Sequence, residues 1–168
     1  MDKQFIKDLV TATSGLDICK DGAKMVKGSK SLEELLEHYK RHVTWNHKRN
    51  YPPREIWETY VYGYCNDWLS CGVADVEFTE QPVACFLCDA TGTVKYAGGT
   101  THGHVFAKHD AGISVEATGN ALVTVFAYDN ATVRVSAEDA AKVIVYLRDN
   151  ARVIDTPENE RITINTVQ

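Results

Sequence analysis

The side chains best able to do chemistry in this 168-residue chain are its five cysteines and three closely spaced histidines. Cys85-Phe86-Leu87-Cys88, with Cys65 and Cys71 upstream, has the two-residue gap used by zinc sites and dithiol redox centres. Thiolates at that spacing can converge on one ion or on each other. The interval back to Cys71 matches no finger or ribbon, however. If residues 83–88 form a strand, Cys85 points inward and Cys88 outward, so the two cannot share an ion. His102, His104 and His109 are the second candidate. On a strand His102 and His104 share an outward face, a geometry that holds a transition metal when a third ligand lies close. Nothing pairs these histidines with a nucleophile, and the chain has neither a phosphate-cradling glycine loop nor a nucleophile elbow. The expectation is a non-enzymatic protein without a cofactor. His102, His104, Cys85 and Cys88 remain weak metal candidates.

Composition bounds the partners. Lys and Arg number 11 against 13 Asp and Glu over residues 1–80, and 7 against 10 over residues 81–168. Neither half has the basic excess that phosphate neutralisation requires, which argues against nucleic acid. No apolar run approaches the roughly 20 residues that span a bilayer. MDKQFIKDLVTA mixes acids and bases into its apolar spacing and reads as a mature helix, not a secretory signal. An odd, irregular set of cysteines suits reduced thiols, so the expected compartment is the cytoplasm.

Residues 1–72 read as helices. Asp2 can cap a first helix with Phe5, Leu9 and Val10 on one face. Ser31-Leu32-Glu33-Glu34 is a capping box, followed at helical spacing by Leu32, Leu35, Leu36, Tyr39 and Val43. Tyr51-Pro52-Pro53 stops that helix, with Pro53 suited to the first turn of the next. Ile56, Trp57, Tyr60, Val61, Tyr64 and Trp68 make an aromatic stripe to about Cys71, read as core, and Gly72 is its terminator.

From residue 73 the period becomes alternating, and a ten-residue unit emerges. Its third position reads Ile113, Val123, Val133, Val143, Val153, and its fifth Val115, Val125, Val135, Val145. Turn pairs such as Gly119-Asn120, Asp129-Asn130 and Asp149-Asn150 close the units. Each unit can bury its apolar face only against its neighbours. Ten residues at roughly 3.3 Å each make too small a ring to enclose four side chains. Two architectures remain: a parallel solenoid of two units per coil, or an antiparallel meander. Position six favours the solenoid, because alternate units read Phe86, Phe106, Phe126, Tyr146, against Tyr96, Glu116, Ser136. That is a period of twenty, with each sheet in its own environment. Asn120, Asn130 and Asn150 are expected at the corners, where they tolerate left-handed backbone, with Asn130 and Asn150 stacked in an amide ladder. Ile162, Ile164 and Val167 can supply a last rung or a cap.

The run DNATVRVSAEDAAKVIVYLRDNARV, together with SLEELLEHYKRHVTWNHKRNYPPREIW, resembles uncharacterised proteins of gut bacteria and their phages. The resemblance implies a short helical head followed by β-solenoid repeats, and no catalytic residues. If the gene is phage-borne, it implies a host defence or regulatory protein as the target of inhibition. The expected fold is α+β, with helices over 1–72 packed in one body with a solenoid over 73–168, right-handed by the default for parallel crossovers. The expected function is a protein-binding module, self-associating as a dimer, through Phe86, Phe106, Phe126, Ile144 and Tyr146, an apolar column that monomers rarely expose. The alternatives are an assembly module that oligomerises through solenoid faces or ends, and a metal-binding protein.

Overall fold

The computed structural model describes residues 3–16, 20–98 and 102–167, and the cap expected of Asp2 lies outside them, as does Cys19. The chain divides into two compact units, Met1–Val61 and Tyr62–Gln168.

The first unit is helical: α1 (Lys3–Ala12), α2 (Lys20–Gly28), α3 (Leu32–Arg41), α4 (Val43–Lys48) and α5 (Arg54–Tyr60). Phe5, Leu9, Val26, Leu35, Leu36, Tyr39 and Trp57 are buried in it. Phe5 stacks on Tyr60 at 4.6 Å, and the Tyr60 hydroxyl donates to Asp8 Oδ2 at 2.6 Å. Ser31 caps α3 by accepting from the Glu34 N–H at 3.2 Å. The reciprocal bond differs from the expected box: the Glu34 carboxylate accepts from the Lys30 N–H, at 2.8 Å, and not from that of Ser31. The helix expected to run on to Tyr51 breaks at His42, which is both C-cap of α3 and N-cap of α4. Pro53 is the N-cap of α5, one residue before the first turn assigned to it.

The second unit begins earlier than the alternating pattern suggested. Tyr64 belongs to β1 (Tyr64–Cys65), antiparallel to β2 (Leu69–Cys71), so the helical stripe ends at Tyr60. Gly63, at φ +82°, breaks it, since a left-handed residue cannot continue a helix. Gly72, also left-handed at φ +67°, terminates β2 and not a helix.

Ten further strands complete a parallel solenoid: β3 (Val76–Thr79), β4 (Val83–Leu87), β5 (Thr91–Tyr96), β6 (His102–Ala107), β7 (Gly112–Ala117), β8 (Leu122–Ala127), β9 (Thr132–Ala137), β10 (Lys142–Leu147), β11 (Arg152–Val153) and β12 (Ile162–Thr166). Alternate strands build two sheets, β1-β2-β4-β6-β8-β10-β12 and β11-β9-β7-β5-β3. Val105 pairs with Val125, which pairs with Val145, and Val115 pairs with Val135, so a coil takes twenty residues. The antiparallel meander is thereby excluded. The core between the sheets is the predicted set, with Val123, Val125, Val133, Val143 and Val145 fully buried and Ala111, Ala121, Ala131 and Ala141 at the bends. Each such Val contributes about 1.5–3 kcal/mol of burial.

Between β5 and β6 the register slips by one residue, and the slip reverses the side chains upstream of it. Ala84 pairs with Val105 and Val94 with Val115, an offset of twenty-one, so one extra residue lies between β5 and β6. A one-residue shift sends every side chain upstream to the opposite face. Phe86 and Tyr96 therefore point into the core, in line with Ala107 and Ala117. Glycines make room for them. A Cβ on Gly92 would lie 2.8 Å from the Phe86 ring, and one on Gly103 would lie 2.3 Å from the Tyr96 ring.

Candidate functional site

The outer faces of the two sheets differ in character, as the twenty-residue period requires. On the sheet containing β7 and β9 the outward positions carry Ser114, Glu116, Arg134 and Ser136. On the other sheet Phe106, Phe126 and Tyr146 stand in register on β6, β8 and β10. Their rings stack at 5.0 Å and 5.4 Å between centroids, each pair tilted by 14°. Parallel rungs about 4.8 Å apart impose that spacing, and near-coplanar rings show how little the rungs twist. Phe106 is buried, whereas Phe126, Tyr146 and Ile144 are half-buried.

Phe86 is a correction to the expected column. Because of the register slip the position in line with Phe106 is Cys85, and Phe86 packs against Phe78 inside the solenoid at 5.1 Å. Cys85 accordingly faces outward, the reverse of the expected direction. Cys88 occupies the corner, left-handed at φ +62°, with its Sγ 3.4 Å from that of Cys71. Sharing a hydrogen bond with Cys88, together with burial, pushes the Cys71 thiol well above its ordinary range. No disulfide joins these cysteines: Cys71, Cys85 and Cys88 are buried thiols, and Cys65 is an exposed one.

His102 and His104 do share the outward face of β6, where both are exposed, and His104 stacks on Phe126 at 6.4 Å. Among the described residues no group of three His, Cys, Asp or Glu side chains is placed to hold a metal ion. His109 has a structural task. Its Nδ1 accepts from the Cys88 N–H at 3.1 Å, so the neutral ring carries its proton on Nε2, 4.0 Å from Asp129 Oδ2.

That bond is one step of a ladder the sequence reading missed. The left-handed corner residues are Cys88, His109, Gly119, Asp129, Asp139 and Asp149, not the asparagines that follow them. The corner aspartates likewise accept from the N–H of the corner residue one coil upstream: Asp129 from His109 at 3.2 Å, Asp149 from Asp129 at 3.3 Å, Asp139 from Gly119 at 3.0 Å. The signal was present as Asp at position nine in successive units. The asparagines form a second ladder beside it. Asn150 donates to Asn130 at 3.3 Å and Asn130 to Asp110 at 3.1 Å, while Asn120 sits in the corresponding turn on the other side.

Next to this corner Lys108 is buried, with its Nζ 6.0 Å from the Tyr128 ring centroid. Burial pulls its pKa below the ordinary lysine value, partly opposed by Asp129.

Fold and surface together define a class: a helical unit followed by a parallel β-solenoid with an aromatic column on one outer face and polar side chains on the other. No protein-family model, curated protein or solved structure matches the chain. Among the described residues no helix is long and apolar enough to cross a membrane.

Proposed function

We propose that the protein is a non-enzymatic interaction module whose half-exposed aromatic face binds a second copy of the chain. The observation that supports this reading is the half-exposed ring pair of Phe126 and Tyr146, stacked on buried Phe106, flanked by Ile144 and set on a sheet whose opposite number is polar. A two-fold axis can lay this aromatic column against that of a second copy, with the sheets about 10 Å apart. Aromatic rings held rigid by their own rungs lose little side-chain entropy on docking, which makes them effective anchors.

A second reading rests on the end of the solenoid. β12 pairs only with β10, and Ile164, in register with the core residue Val145, is 47% exposed. An unpaired edge with exposed apolar side chains is a template for strand addition, so assembly end to end is the alternative.

Three variants separate these surfaces by light scattering. Phe126→Arg breaks a face dimer, Ile164→Lys breaks an end-to-end assembly, and Ser136→Arg on the polar face breaks neither. A dimer that survives Phe126→Arg in a folded protein removes the face reading.

A further inference from the structure

We propose that the helical unit carries a binding pocket for a neutral, two-ring aromatic molecule with a single hydrogen-bonding group. The pocket lies wholly within Met1–Val61, has a volume of about 310 Å³, and is walled by residues of α1 to α5 with His42, Tyr51, Pro52 and Val61. Its charge is the first clue to the occupant. Among the described residues no Lys, Arg, Asp or Glu lines it, so an ion entering would lose its hydration and meet no counter-charge from them.

Three polar groups of the wall are turned to other partners. The Tyr39 hydroxyl bonds His47 Nε2 at 3.0 Å, Trp57 Nε1 donates to the Pro52 carbonyl at 3.0 Å, and Asn46 Nδ2 donates to the Tyr39 carbonyl at 3.1 Å. What these residues leave for a ligand is ring and methylene surface. His38 differs from these: it lines the pocket, and its Nδ1 is buried without a hydrogen-bond partner. Buried polar atoms in native folds are normally satisfied, and one left over beside an apolar pocket is where a ligand hydroxyl or N–H belongs.

Size and shape narrow the class. An apolar cavity of roughly 150 Å³ accepts one benzene ring, so a pocket of about twice that volume accepts a fused pair. Tyr39 and Trp57 meet edge to face at 4.9 Å and 77°, and Trp45 and Tyr51 do so at 6.2 Å and 70°. Walls built from such pairs offer both ring edges and ring faces to a flat guest.

The test uses 2-naphthol, naphthalene and naphthalene-2-sulfonate, titrated into the full chain by calorimetry. The expected result is saturable one-to-one binding of 2-naphthol. Naphthalene is expected to bind about 3–10-fold more weakly for want of the hydrogen bond, and the sulfonate at least 100-fold more weakly. His38→Phe should bring 2-naphthol down to the affinity of naphthalene and leave naphthalene itself unchanged, a pattern that a purely structural role for His38 would not produce. Met25→Trp, which fills the pocket, should abolish binding while the circular dichroism spectrum stays native. Should that variant misfold, nuclear Overhauser contacts from 2-naphthol in the wild-type protein are expected at the Met25 methyl and the Trp57 indole. Absence of saturation, equal binding of the sulfonate, or contacts confined to other residues would overturn the proposal.

Discussion

Gly103 sits where the next two coils carry Val123 and Val143, so the repeat pattern recommends Gly103→Val as a stabilising change. A valine there would remove the entropic cost of a strand glycine and add buried area, about 1.5–3 kcal/mol of apparent gain. The structure predicts the opposite sign. A Cβ at Gly103 would lie 2.3 Å from Tyr96 Cζ and 2.5 Å from its hydroxyl oxygen. The ring cannot swing aside, because it is 1% exposed and its hydroxyl donates to the Gln81 carbonyl at 2.8 Å. Overpacking of this kind costs about 1–3 kcal/mol, or roughly 4–8 °C in Tm per kcal/mol for a unit of this size. Tyr96→Ala alone leaves a large cavity and costs about 3–5 kcal/mol. In that background the added valine fills space instead of clashing, and Gly103→Val becomes stabilising by about 1–2 kcal/mol. The double-mutant cycle therefore yields a coupling of about 2–5 kcal/mol with a change of sign. Urea denaturation followed by circular dichroism on the four proteins measures it. If Gly103→Val stabilises equally in both backgrounds, the inward Tyr96 and the register slip behind it are wrong.

Three further outcomes follow from local geometry. Asp139→Ala should cost about 1–2 kcal/mol, combining a left-handed alanine with the lost bond to the Gly119 N–H, and Asp139→Gly should recover the backbone part, as read by denaturant midpoint. Under native conditions a maleimide should modify exposed Cys65, while Cys71, Cys85 and Cys88 react only after unfolding, which peptide mass mapping reports. Burial pushes the Tyr51 phenol up to about 12, against about 10 in an unfolded chain. The native state then binds more protons than the unfolded state between pH 10 and 12. Its share of stability is intact below pH 10 and falls by at most ~3 kcal/mol as pH rises through that window. Tyr51→Phe should make the alkaline decline of the urea midpoint shallower.

The solenoid was legible because its interior is written directly in the sequence: Val at positions three and five, Ala at one and seven, and a turn pair after each. The twenty-residue period was legible from Phe106, Phe126 and Tyr146 against Glu116 and Ser136. Phe86 and Tyr96 were misplaced because they are apolar residues at the decapeptide spacing, so a one-residue slip leaves the pattern superficially intact. The clue was the pairing of a large with an absent side chain, Tyr96 with Gly103, which an inward ring requires.

The corner residues were misassigned for a different reason. Propensity ranks Asn high for left-handed backbone, but here the position also needs an acceptor for the N–H of the previous coil, and Asp129, Asp139 and Asp149 supply a carboxylate. Near residue 64 the helical spacing of Trp57, Tyr60, Val61, Tyr64 and Trp68 masked the break at Gly63. Pairing across the hairpin of β1 and β2 overrides that local period. The pocket of the helical unit had no sequence signal, since its lining has the composition of an ordinary core.

Self-association through the aromatic face is tested most directly by sedimentation equilibrium of the wild-type protein beside Phe126→Arg. The expected masses are about 37 kDa for the wild type, twice the 18.7 kDa chain, and that of a single chain for the variant. A wild-type protein that remains a single chain up to the highest soluble concentration contradicts it.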